Sequence, residues 1–378
     1  MAIAADLFEP KHYSDVRLPL LEAKTLPTWC YTSQEFYQRE VERLFMRMWN
    51  FIGREDEIPN PGDYLTTDIC GESVVVIRDQ ENRIQAFANT CRHRGTRLLS
   101  GSGHCRAIIC PYHAWTYALD GKLVGTPGME KTEHFDPADN GLIPIRLETW
   151  AGFIFVNFSS KSCSLMEHLG DLPQQFASYN FSDVVCVRRT EYDLACNWKI
   201  YIENAMEDYH TPTVHRTSIG RQVTTRVETE GQWDAIHMES ERSIAVLPED
   251  NSSLPHISGL TGKPATGTFF TVIYPATFFA TTQDCMWWLQ ALPRGPESCT
   301  IAVGSCFPKD TVARPDFEHE VKKYYTRWDK SLPEDNAISE RQQAGLHSKF
   351  SQPGRLSWHE PIVHAIANWV LDHTLEQG

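Results

Sequence analysis

The spacing of apolar positions changes several times along the chain, and each change marks a change of element. Residues 1–30 show no sustained period and hold prolines at 10, 19 and 27. A helical period follows, with Phe36, Tyr37, Val41, Leu44, Phe45 and Met48 on one face, Thr32 as the cap and Glu35 as its capping-box partner. That stripe predicts core. From Pro59 to Asn89 the period falls to two: Gly62-Asp63-Tyr64 opens a strand, 73–78 is a second, 79–82 turn, and 84–88 is a third. Short strands at 107–109 and 114–117, a hairpin signal at Asp120-Gly121, and strands at 141–145 and 151–158 complete a small antiparallel β domain over 50–160.

The remainder reads differently. Residues 165–180 predict a helix joining two domains, 184–194 a strand, and 198–219 a partly helical stretch. Residues 220–265, rich in Gly, Ser, Pro and charge, read as long excursions near a pocket, with a turn at Asn251-Ser252-Ser253. Strands return at 267–275, 277–292 and 300–307, and helices are expected at 317–330, 336–346 and 360–375. The chain shows no internal repeat.

Composition narrows the class of protein without naming its chemistry. The 378 residues suffice for two domains, and 41% hydrophobic with 22% charged residues is a globular balance. No apolar run is long enough to span a membrane, and the N-terminus, with early acids, does not read as a secretory signal. A net charge of −14 argues against nucleic acid or an anionic membrane as partner. Eleven cysteines without a spacing framework fit free thiols in a reducing cytoplasm.

Two stretches carry candidate chemistry. In the first, Cys91-x-His93 and Cys110-x-x-His113 stand sixteen residues apart. Two thiolates and two imidazoles suit either a structural zinc site or a [2Fe–2S] cluster with cysteines on one iron and histidines on the other. Each pair here is mixed, one Cys and one His per loop, which favours the cluster. His104 and Cys105 lie between the pairs and read as bystanders.

In the second, His210 and His215 are five residues apart, with Pro212 between them. On an unbroken helix their rings would point about 140° apart. A break at Pro212 can swing His215 back toward His210. Two imidazoles and a carboxylate on one face form the triad of non-haem Fe(II) oxygenases. The carboxylate is expected in 333–346, from Asp335 or Glu340, and the residues leave that choice open. Glu207, three positions before His210, can orient that ring through its second nitrogen.

With CRHRG, CPYHAWTY, NWK, EDYH, His215 and EDNAISERQQAGL in this order, the chain resembles the Rieske non-haem iron oxygenases, in particular their large (α) subunit. The resemblance implies an α+β fold: a Rieske antiparallel β domain at 49–160 and a catalytic domain at 161–378. The catalytic domain carries a twisted antiparallel sheet flanked by helices, and 1–48 is an N-terminal segment and helix packed on it. It implies that Cys91, His93, Cys110 and His113 bind [2Fe–2S], and that His210, His215 and Asp335 bind a mononuclear Fe(II). Asp335 is preferred because the family's carboxylate precedes an E-x-x-Q element, here Glu340 to Gln343.

The resemblance further implies a homotrimer in which one subunit's cluster serves the neighbour's iron. Glu207 matches the bridging carboxylate. Most ring-hydroxylating members have Asp there; the Glu-x-Tyr-His spelling is similar to that of carnitine and glycine-betaine monooxygenases. The expected function is therefore hydroxylation or N-dealkylation of a quaternary-ammonium compound with O2. Aromatic-ring oxygenation and a non-catalytic Rieske electron carrier are the alternatives. Electrons would come from a separate reductase carrying NAD(P)H and flavin, since the chain lacks a dinucleotide fingerprint. Of the aromatic run Phe269, Phe270, Tyr274, Phe278, Phe279, Trp287 and Trp288, most are expected in core and one or two at the pocket.

Overall fold

The computed structural model describes residues 6–251 and 254–375, which divide into two units, Met48–Leu165 and Met1–Arg47 with Met166–Gly378. Residues 1–5, and Ser252 and Ser253 of the expected turn, lie outside the described residues. In the smaller unit, the β-branched run at 74–77 is buried on both faces, as an interior strand should be. It belongs to an antiparallel sheet ordered Ile84–Ala88, Glu72–Arg78, Asp63–Ile69, Ser102–His104. A second sheet pairs Asn50–Arg54, Phe153–Asn157 and Arg146–Trp150. A third, of very short strands, pairs Ile108–Ile109, Thr116–Tyr117 and Leu123–Gly125.

The strand expected at 141–145 forms instead at Arg146–Trp150. Residues 143–145 still bond to the edge of Ile84–Ala88, through Ala88 N to Ile143 O and Ile145 N to Ala86 O. Five strands, Asn50–Arg54, Ser102–His104, Leu123–Gly125, Thr225–Val227 and Trp233–Glu239, were absent from the expectation.

The larger unit is built on a seven-stranded antiparallel sheet. Its order is Val184–Leu194, Ser298–Pro308, Met286–Gly295, Thr277–Thr281, Gly267–Ile273, Trp233–Glu239, Thr225–Val227. The expected single strand over 277–292 is two, joined at 282–285. The sequence hid that turn because it is buried: Thr282, Gln283 and Asp284 are all shielded. The Asp284 carboxylate accepts from Thr282 Oγ1 at 2.7 Å and Ser243 Oγ at 2.6 Å, and also from Tyr324. Gly304 faces Trp288 across two strands, and a Cβ there would lie 2.0 Å from the indole.

Cross-strand register sorts the aromatic run. Ile236 pairs with Phe270, Phe270 with Ala280, Ala280 with Trp287, and Phe278 with Leu289, so these side chains share one face. Phe269 and Phe279 take the other face, against Phe176 and Phe181.

Helical boundaries moved for identifiable reasons. The helix expected after Thr32 is Gln34–Glu40, capped by Ser33, whose Oγ accepts from Phe36 N; Thr32 instead ends a short preceding helix, Trp29–Thr32, and bonds back to Thr28 O. The expected helix at 165–180 breaks into Leu165–Leu169 and Leu172–Gln175 around Gly170 (φ +56°), which packs so closely on Glu230 that a Cβ would overlap its carbonyl. The helices expected at 317–330 and 336–346 are one, Phe317–Leu346, running through Pro333 with one backbone hydrogen bond fewer. The Gln34–Glu40 helix is tied to the Trp198–Ala205 helix by a fully buried pair, Lys199 Nζ to Glu40 Oε1 at 2.6 Å.

Candidate active site

Asn197 starts the Trp198–Ala205 helix by accepting from Lys199 N at 3.0 Å. Its own amide is held by Gln343 Oε1 at 2.8 Å, and the preceding Ala195 amide by Glu340 Oε1 at 3.0 Å. The E-x-x-Q element therefore pins the start of this helix, and Glu340 is occupied away from the histidines. Asp335, one and a half helical turns earlier, faces them.

The helix stops at Ala205, and residues 206–210 form a turn. Pro212 lies in the first turn of a new short helix, Thr211–Val214. It starts a helix where a kink was expected, with the same consequence: the His210 and His215 rings come together, centroids 5.1 Å apart and inclined at 69°. Asp335 completes the set, with one donor atom from each residue inside 4.8 Å of the others. Its Oδ1 stands 3.0 Å from His215 Nε2 and 3.6 Å from His210 Nε2. Among the described residues this is the one group of three or more such donors gathered so closely.

Behind each imidazole stands a carboxylate. Glu207 Oε1 is 2.6 Å from His210 Nδ1, and its other oxygen accepts from the amides of Tyr209 and His210. Glu334 Oε2 is 2.7 Å from His215 Nδ1 and also accepts from Ser218. Burial works against a charged His215 ring, but the neighbouring Asp335 and Glu334 outweigh it and raise its pKa. Both Nε2 atoms are thus turned toward Asp335, as ligation through Nε2 requires.

Glu207 and Asp208 are not a solvated pair, since their side chains are 11% and 3% exposed. Asp208 accepts from Thr224 N at 2.7 Å and Oγ1 at 2.9 Å, and contacts His359 Nδ1 at 2.5 Å. Sequence reasoning missed Glu334, Asn204 (Nδ2 to Asp335 Oδ1, 3.0 Å) and the Asp208–His359 pair. Glu334 had a signal, its place beside Asp335. His359, 151 residues from Asp208, had none.

The three donors open into a cavity. One wall is the sheet face bearing Ile236, Phe270, Phe278, Trp287 and Leu289; the other is the long helix, through Arg327, Ser331, Leu332 and Asp335. Three of the seven aromatic residues singled out, Phe270, Phe278 and Trp287, reach it. Tyr201 lines it too, with a buried hydroxyl that has no hydrogen-bond partner.

In the smaller unit, the other four candidates sit in two loops of matching backbone pattern. Cys91 N donates to Thr96 O and Gly95 N to Cys91 O; Cys110 N donates to Trp115 O and Ala114 N to Cys110 O. The fourth residue after each cysteine takes positive φ, Gly95 at +71° and Ala114 at +56°. The loops bring His93 and His113 together, ring centroids 4.8 Å apart, with Trp115 stacked on His93. Burial raises the Cys110 pKa, but amides of Tyr112 and His113 directed at its sulfur bring it below the ordinary thiol value. His113 Nδ1 is buried without a partner, a nitrogen available to a metal. The four donors do not gather as one tight set, as a tetrahedral zinc site would require. They fit a centre that separates thiolates from imidazoles. His104 stands apart in a strand, its Nδ1 2.9 Å from Asp63 Oδ1.

A β unit with this loop pair, in one chain with a sheet-and-helix unit holding a two-His, one-carboxylate set, defines a class: the Rieske non-haem iron oxygenases. Two family models match, the Rieske [2Fe-2S] domain over residues 48–136 and the ring hydroxylating alpha subunit (catalytic domain) over 181–376. The chain belongs to that family, as its oxygenase α subunit. The carnitine monooxygenase oxygenase subunit of Acinetobacter baumannii is 31% identical over 272 residues, covering 67% of this chain and 71% of that one. The chloroplastic choline monooxygenase of Spinacia oleracea is 27% identical over 355 residues, covering 91% and 76%. The crystal structure of the quaternary ammonium Rieske monooxygenase CntA with L-carnitine matches at TM-score 0.78 and 25% identity, covering 93% of this chain and 96% of that one. No helix among the described residues is long and apolar enough to cross a membrane.

Proposed function

We propose that the chain is the terminal oxygenase of a quaternary-ammonium-oxidising system. His210, His215 and Asp335 would hold its mononuclear iron, and Cys91, His93, Cys110 and His113 its [2Fe–2S] cluster. The observation that carries the reading is the donor set itself: two imidazoles locked by Glu207 and Glu334, with Asp335, at the wall of an aromatic-lined cavity. Iron bound there supplies activation of O2 for insertion of one oxygen atom into a C–H bond.

The chain's own residues do the rest. Glu207 and Glu334 hold the Nδ1 protons of the two imidazoles, fixing tautomer and orientation. Phe270 and Phe278, stacked at 6.2 Å and 20°, offer ring faces to a trimethylammonium group. The apolar sheet face limits water around the reacting carbon. Insertion consumes O2, two electrons and two protons, and releases water. A carbon hydroxylated beside the quaternary nitrogen then loses its C–N bond, leaving an aldehyde, a tertiary amine and a proton.

Electrons would come singly from a separate flavin reductase using NAD(P)H, with Glu207 as relay between the cluster of one subunit and the iron of its neighbour in a homotrimer. The named activities of the relatives, carnitine and choline monooxygenases, support the substrate class. The test is reductase-driven O2 uptake with product analysis across carnitine, γ-butyrobetaine, glycine betaine, choline and benzoate. Consumption of trimethylammonium compounds and not of benzoate is expected; the reverse would overturn the reading.

A further inference from the structure

The cavity wall holds a guanidinium that no carboxylate touches among the described residues, although Asp335 and Glu334 act on it from further off. Arg327 projects from the long helix, is buried, and has no carboxylate within ion-pair distance among the described residues. Its Nε donates to Ile244 O at 3.1 Å and its Nη1 to Ser331 Oγ at 3.2 Å, while its plane lies 4.9 Å over the Trp287 ring. The guanidinium is therefore fixed by two hydrogen bonds and a ring, and Nη2 makes no hydrogen bond among the described residues. Burial pushes its pKa down to about 10, which leaves it charged at neutral pH. Proteins rarely bury a cation without a partner, because desolvation outweighs what isolated hydrogen bonds return.

We infer that Arg327 is the anchor for a substrate carboxylate, so that the cavity takes a zwitterion: a quaternary ammonium joined to a carboxylate. The inference rests on the function proposed above and narrows it. A bare cation such as choline could still meet Phe270 and Phe278, but it would be repelled by the guanidinium and leave that charge without a counter-ion. A betaine answers both charges, its ammonium against Phe270 and Phe278 and its carboxylate on Nη2. Trp287 is then no part of a cation cage, since Arg327 already covers one of its faces. Arg327 and Asp335 stand eight residues apart on one helix, and the guanidinium reaches along it to Ser331, so a carboxylate on Nη2 would bind in the same cavity as the donor set.

Two arms test this in the assembled, iron-loaded enzyme with its reductase. The first needs no variant: γ-butyrobetaine is compared with its methyl ester and with choline. The free acid should be preferred in kcat/KM by about 30- to 100-fold, the range expected for a charged hydrogen-bonded contact. The second arm uses Arg327→Gln and Arg327→Lys. Gln should collapse the acid-to-ester ratio toward one, and Lys should restore part of it; a merely structural role would lower both substrates together and leave the ratio unchanged. Equal use of acid and ester by the native enzyme, or an unchanged ratio in Arg327→Gln, would overturn the anchor. Turnover of benzoate alone, with the same dependence on Arg327, would overturn the quaternary-ammonium reading while leaving the anchor in place.

Discussion

In the smaller unit His93 and His113 are half-buried, with aromatic rings against them: Trp115 stacks on His93 and Tyr112 on His113. In the larger unit His210 and His215 are each backed by a carboxylate, Glu207 and Glu334, and face a cavity. The first arrangement suits a centre that passes electrons, because its rings reach the surface and amides aimed at sulfur tune it. The second suits a centre that holds a hard cation with open positions, because two locked imidazoles and one carboxylate leave half the sphere free. One chain thus uses histidine in two ways, and the difference lies in what stands behind the ring.

Variants that alter those backing groups sharpen the contrast. Glu207→Gln should keep a reducible cluster, and with mononuclear iron replenished by excess Fe(II) its turnover should still fall about a hundredfold or more. Iron analysis, cluster spectra and O2 uptake together check it, and undiminished turnover would remove Glu207 from the relay. Glu334→Gln should act on one centre only, weakening mononuclear iron about 10- to 100-fold, with activity restored by excess Fe(II). Cluster spectra should not change.

Two smaller effects separate the units by stability. Burial pushes Glu203 up to about 8 from 4.5, against a contact with the Tyr31 hydroxyl that lowers it. Between those values the folded chain keeps a proton that the unfolded chain has lost. Stability from this group is therefore complete below about pH 4.5, declines as pH rises, and is gone above about pH 8. Glu203→Gln should leave Tm nearly unchanged at pH 5 and raise it by a few degrees at pH 9, read by thermal unfolding. Ala114→Gly, which relieves a left-handed alanine at φ +56°, should stabilise the cluster loop by about 1 kcal/mol. Gly95→Ala at the matching position of the other loop should do the reverse.

Much of this was legible in the residues. The mixed Cys/His pairs, the His210/His215 spacing and the contact of Glu207 with His210 follow from ligand chemistry and local geometry. Asp335 does not: only the resemblance chose it over Glu340, and of those two the structure brings Asp335 to the histidines. Pro333 misled because a mid-helix proline ordinarily ends a helix, yet here the helix continues to carry Glu334 and Asp335. The 282–285 turn was invisible because its polar residues satisfy one another inside the core. Arg327 was passed over for a similar reason, since an arginine in an amphipathic helix reads as solvated, and only packing against Trp287 reveals it as buried.

The central claim is that this chain carries two different iron centres. Iron and acid-labile sulfide, measured on anaerobically prepared protein alongside Asp335→Ala and Cys110→Ser, test it most directly. The account predicts three irons and two sulfides per native chain, two and two in Asp335→Ala, and one iron without sulfide in Cys110→Ser. A native chain with two irons, or one loaded with zinc and free of sulfide, would contradict it.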